Sequence, residues 1–172
     1  MTPASLFLDA IIDNCTTIFG DLGIEVTLTD DPLIPTSIAV IGFSSGNITG
    51  SVGIACSDQL LTDSLSATFG GSPPPETSRR DWLGELCNQF LGAIKRAVSD
   101  YGVDVNMATP TIVDGKELSV DLSRDCAGSR TLQTSGGDKV MGFFDLQHEE
   151  GLELVYAPPE EDGLEDGMSL FF

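Results

Sequence analysis

The chain has 172 residues and a mass of 18.2 kDa, the size of one domain. Hydrophobic residues make up 41% of it, enough for a substantial core, yet 27 acidic residues face only 8 basic ones, for a net charge of −19. That balance argues against nucleic acid and against an anionic membrane surface, since both are held by clustered Lys and Arg. The longest apolar runs fall far short of the roughly 20 residues a membrane helix needs. No Lys or Arg precedes Arg79, so the start lacks the basic segment of a signal peptide, and a cytoplasmic protein is expected.

In chain order, Leu6, Phe7, Ala10, Ile11, Asn14, Cys15 and Ile18 recur at helical spacing and predict a helix over 4–19, ended by Gly20 and Gly23. Ile24 to Leu28 alternates as a strand. Ser37–Phe43 and Ile48–Cys56 read as a hairpin turning through Ser44 to Asn47, so the formal sequon at Asn47 is better read as turn chemistry. Ser57 is a candidate N-cap for a short helix to Phe69, and Gly70 to Pro75 breaks the chain. A long helix is predicted from about Thr77 to Tyr101. Strands are then expected at 103–107, 116–122, 130–134, 139–146 and 152–156, with a last turn at His148 to Gly151. Residues 158–172 carry five carboxylates and no base, and read as a flexible acidic tail.

The two parts of the chain resemble each other. Gly23-Ile24-Glu25-Val26 after the first helix matches Gly102-Val103-Asp104-Val105 after the long one, and Gly42-Phe43 is set against Gly142-Phe143. The predicted fold is therefore α+β: residues 1–157 form one domain of two pseudo-repeats, about 4–71 and 76–157. Each repeat is a helix followed by three strands, and together they make one antiparallel sheet with the long helices on one face.

The four cysteines are scattered without metal-ligand spacing and read as buried reduced thiols, and His148 lacks the flanking residues of a triad or zinc site. Attention falls instead on the long helix. Opposite its apolar arc lie Asp81, Glu85, Asn88 and Gly92, within about 60° of one another at 100° per residue. A solvated face is the simplest explanation, and Ser78-x-x-Asp81 also fits a capping box. Two residues stand against it. Asn is a mediocre helix former, and Gly costs about 1 kcal/mol relative to Ala unless something must approach closely.

Asp81-x3-Glu85-x2-Asn88, with Pro110 twenty-two residues on, resembles the signature of the CheC/CheX/FliY family of chemotaxis phosphatases. The family's Pro falls about one position later. Gly46 to Val52, Phe69-Gly70-Gly71 and Thr109 to Val113 fit as well, so the resemblance covers roughly residues 5–157. An offset of 79 residues, set by Gly102 over Gly23, places Leu6 and Asp9 where the second repeat has Glu85 and Asn88. One site instead of two makes the chain similar to the CheX branch, whose members pair as homodimers.

The resemblance implies hydrolysis of the aspartyl phosphate of a CheY-like response regulator. Asn88 would orient the attacking water and Glu85 would pair with the receiver's lysine. Asp81, Gly92 and Pro110 would belong to the receiver contact, Pro110 by shaping a loop. It implies no metal ligands or cofactor in this chain, and a divalent metal on the phosphorylated partner. The alternative is a non-catalytic module of the same fold that binds a receiver, or a flagellar or signalling partner, without hydrolysis. Four of the 8 basic residues (Arg79, Arg80, Lys95, Arg96) lie on the site helix, which makes it a neutral island able to meet an acidic partner.

Overall fold

Thr2 caps the first helix by accepting from the Ser5 amide at 3.2 Å, and Pro3 supplies a preset φ for its first turn. This helix, α1, runs Pro3–Asp21. The computed structural model describes residues 1–71, 78–122 and 124–157, so the expected tail at 158–172 lies outside the described residues. Next come β1 (Thr27–Thr29), β2 (Ser37–Ser44), β3 (Ile48–Cys56), α2 (Asp58–Thr68) and α3 (Ser78–Ser99). The chain continues through β4 (Asn106–Met107), β5 (Thr111–Asp114), β6 (Ala127–Gln133) and β7 (Lys139–His148).

All seven strands join one antiparallel sheet in the order β1-β6-β7-β3-β2-β4, with β5 also on β2. Alternation decides which side chains meet the helices. Ala39, Ile41 and Phe43 on β2, Val52 and Ile54 on β3, and Val140, Phe144 and Leu146 on β7 share a core with α1 and α3. Phe7, Phe90 and Phe144 are fully buried there, each contributing roughly 1.5–3 kcal/mol. Gly142 lies on the same face. A Cβ at that position would come within 2.8 Å of both Ile11 Cγ2 on α1 and Phe90 Cζ on α3. The missing side chain is what lets the two helices settle onto the middle of the sheet.

The strand order reads the same from both ends once β1 is matched to β4, β6 to β2 and β7 to β3. The helix ends repeat as well. Gly23 (φ +75°) and Gly102 (φ +72°) both sit in the left-handed region. Ile24 N donates to Phe19 O at 2.9 Å, as Val103 N does to Val98 O at 3.3 Å. The glycine correspondence therefore stands. The Gly42-Phe43 correspondence does not, because Gly42 lies on β2 and Gly142 on β7, which this symmetry matches to β3.

Four strand expectations need correction, all because burial alternates over a longer stretch than the ladder. Val26 is buried, but β6 ends at Gln133, so pairing on that side starts only at Thr27. Val103 and Val105 are buried under the helices, yet only Asn106 and Met107 find partners, at Ser44 and Phe43. Residues 116–122 form no strand. Leu118, Val120 and Leu122 pack against Ile38, Ala55 and Phe143, so the segment straps across the back of the sheet without joining it. Residues 152–156 form no strand and are held instead by the first residue and the end of α3: Leu154 N donates to Met1 O, and next to the segment Ala157 N donates to Asp100 O. The true strand β5 was not expected, although Thr111-Ile112-Val113 is β-branched throughout.

Ser57 caps α2 as predicted, accepting from Leu60 N at 3.4 Å. Buried Ser64 then accepts from Trp82 Nε1 at 2.9 Å, which fixes α2 against the first turns of α3. All four cysteines are free. Burial pushes the Cys15 and Cys87 thiols up to about 12 and raises that of Cys56 too, so these three stay protonated and unreactive near pH 7. Cys126 is only partly buried. Among the described residues, no helix is long and apolar enough to cross a membrane, and no group of three His, Cys, Asp or Glu could hold a metal ion.

Candidate functional site

The apolar arc of α3 turns Leu83, Leu86, Cys87, Phe90, Leu91, Ile94 and Val98 inward. The remaining arc must then face out. Asp81 and Glu85 are exposed there, and Asn88 and Gly92 are half-buried. Glu85 and Asn88 stand one turn apart, about 4.5 Å along the axis at 1.5 Å per residue. At 100° per residue Asn88 marks one border of this stripe and Gln89 and Arg96 the other, with Glu85 and Gly92 between them.

Different elements flank the two borders. On the Gln89 side, α1 and α3 enclose an open cleft of about 620 Å³. Asn14, Thr17 and Asp21 line it from α1, and Glu85, Asn88 and Gly92 from α3. Asp81 lines an adjoining hollow with Trp82 and Glu85. On the Asn88 side lies β5, where Ile112 Cδ1 would be 3.4 Å from a Cβ on Gly84. Arg80 donates to Ile112 O at 3.3 Å and pairs with Asp114, so β5 runs opposite to α3. Pro110 stands just before this strand and does not line the cleft.

The side chains of the stripe are largely uncommitted. Glu85 accepts from Gln89 Nε2 at 3.0 Å, an exposed contact that leaves the carboxylate further acceptor capacity. Neither Asn88 nor Asp81 has a side-chain partner among the described residues. Gly92 has a helical backbone, and a Cβ there would meet nothing but Arg96 Nη1, at 3.9 Å. No internal packing requires this glycine. Gly84 differs, since Ile112 fills the space beside it.

Two of the four helix cations are engaged within the chain, Arg80 with Asp114 and Lys95 with Asp104 at 3.7 Å. Arg79 and Arg96 have no carboxylate partner among the described residues. The residues sequence reasoning missed are Asn14 and Asp21, contributed by α1, and Trp82 on α3 itself. Asn14 carried a usable signal: it is an amide at a position where the α1 stripe is otherwise apolar.

The sequence matches the family described as Chemotaxis phosphatase CheX over residues 37–131, just over half of the chain, and that span contains the whole α3 stripe and Pro110. No curated protein matches the chain. Among solved structures, the chemotaxis protein CheX from Vibrio vulnificus is similar over 86% of this chain and 100% of its own, at 18% identity and a TM-score of 0.74. CheX from Desulfovibrio desulfuricans covers 84% of this chain and 98% of its own, at 20% identity and a TM-score of 0.64. A chain of the CheX–CheY–BeF3–Mg2+ complex from Borrelia burgdorferi covers 81% of this chain and 97% of its own, at 10% identity and a TM-score of 0.60.

Proposed function

This chain belongs to the CheX family of chemotaxis phosphatases, and from that premise we propose that it hydrolyses the aspartyl phosphate of a CheY-like receiver domain, with Asn88 orienting the attacking water. The observation that carries the reading is the uncommitted Asn88 amide, one turn from an exposed carboxylate on a stripe that a glycine leaves open. A relative of this fold was crystallised with CheY, BeF3 and Mg2+, which supports a receiver as the partner.

The chemistry asks little of this chain. An acyl phosphate is already activated, and the receiver brings the divalent metal and lysine that neutralise charge at phosphorus. What remains is to hold one water in line with the departing carboxylate, and phosphoryl transfer is catalysed mostly by such positioning. A carboxamide suits the task because its oxygen accepts from water, its nitrogen donates, and neither titrates near pH 7. Glu85 sets the register through a charged hydrogen bond to the receiver lysine. Asp81 and Gly92 border the contact, and Pro110 shapes the loop on the Asn88 side. The reading extends to a cytoplasmic homodimer with no cofactor of its own.

The test is to mix the protein with a phosphorylated receiver and follow loss of phosphate. Accelerated decay is expected. Glu85→Ala should weaken receiver binding roughly 10- to 100-fold, the worth of a hydrogen bond to a charged group. Binding without acceleration would leave a non-catalytic receiver-binding module.

Gly92→Ala separates partner contact from internal packing. Ala is the better helix former by about 1 kcal/mol, and the space beside Gly92 is open, so thermal melts should move upward. Receiver affinity, measured by titration, should fall, because the added methyl holds the partner off the stripe. Unchanged affinity would remove Gly92 from the contact.

A further inference from the structure

Asn14 Nδ2 on α1 is buried and has no hydrogen-bond partner among the described residues. It belongs to the wall of the cleft that Glu85, Asn88 and Gly92 line from α3. Orphaned buried N–H groups are rare, because the lost hydration is not replaced. Asn is also a poor choice for the interior of a helix. Its neighbours one turn away include Ala10 and Ile18, which pack against the core, while Thr17 and Asp21 share its cleft wall, so Asn14 stands where the core side of α1 gives way to the cleft. No contact within the core requires an amide here.

We infer that the docking surface extends across the cleft onto α1, where Asn14 donates a hydrogen bond to a main-chain carbonyl of the bound receiver. This rests on the receiver-binding reading above. A partner seated on the α3 stripe overhangs the cleft, and rotation about χ2 can turn the Asn14 nitrogen toward it. Glu85 and Asn88 then lie at one wall of the bound surface and Asn14 at the other. Asn14 is a positioning residue, with no part in the water's attack.

The test uses Asn14→Leu and Asn14→Ala in the full chain, with three readouts: thermal melts, KM and kcat for the phosphorylated receiver, and titration with the BeF3-activated receiver. For Asn14→Leu the expected result is a melting temperature equal to or above that of the unsubstituted protein. KM and the dissociation constant should rise about fivefold, the worth of one hydrogen bond, at unchanged kcat. Asn14→Ala should show the same rise in KM. Unchanged KM and affinity in both variants would overturn the inference while leaving the phosphatase reading intact. A lowered melting temperature with kcat and KM both impaired would overturn it too, by assigning Asn14 to the fold. If the unsubstituted chain binds the receiver without hydrolysing it, and binding still depends on Asn14, the catalytic reading fails and this inference stands. If it neither binds nor hydrolyses a receiver, both fail.

Discussion

Asn88→Ala should lower phosphate loss from the receiver at least ~100-fold, the scale on which misplacing one reacting group acts. Binding should persist, because Glu85 and the rest of the stripe remain. The fold should be indifferent: Asn88 has no side-chain partner among the described residues, and Ala is the better helix former. Single-turnover decay with excess phosphatase separates the chemical step from docking. A rate within twofold of the unsubstituted protein would take the water away from Asn88. A rate loss accompanied by a lower melting temperature would mean that Asn88 supports the helix, in conflict with its half-buried, unpartnered state.

Among the proposed substitutions, Gly142→Ala is expected to lower stability most. The new methyl would stand 2.8 Å from Ile11 Cγ2 and from Phe90 Cζ, both fully buried. Overpacking of this kind costs typically 1–3 kcal/mol, or about 3–10 °C in melting temperature for a domain of this size. Activity should fall as well, though less than for Asn88→Ala. Ile11 and Phe90 hold α1 and α3 at the spacing that defines the cleft, and Phe90 lies two residues beyond Asn88. Denaturant unfolding together with the receiver assay checks both parts. An unchanged unfolding midpoint would mean the helices ride higher over the sheet than the contacts indicate.

Much of this architecture was legible from period and punctuation. The α1 stripe, the hairpin β2–β3, the Ser57 cap and the long α3 follow from local rules, and the glycines at 23 and 102 mark the ends of both long helices. The failures share one physical cause. Alternating burial records which side chains are covered, and a ladder needs a neighbouring backbone that no local pattern reveals. Leu118, Val120 and Leu122 alternate correctly and join no strand ladder, whereas Thr111 to Asp114 show a half-buried Ile112 between exposed residues and do pair.

The site divides in the same way. The stripe on α3 could be read because one helix carries all of it. The wall from α1 could not, since Asn14 is far from α3 in the sequence and the two helices come together only in the folded protein. Among apolar spacings its amide looked like one more core position. The amide itself was the one sign, and it gains meaning from the lack of an acceptor around Nδ2 among the described residues.

The exchange of strands between the repeats also bears on how the molecule folds. β1 completes the hairpin of the second repeat, β4 and β5 complete that of the first, and β3 meets β7 at the centre. The hairpin of each repeat is thus completed by strands of the other. The pairing of Thr27 with Gln133 closes a loop of more than a hundred residues, an entropic cost typical of slow-folding topologies. The two walls of the cleft come from opposite repeats, and they face each other only once this long-range step is complete. A surface that spans both walls therefore forms only as the two repeats come together.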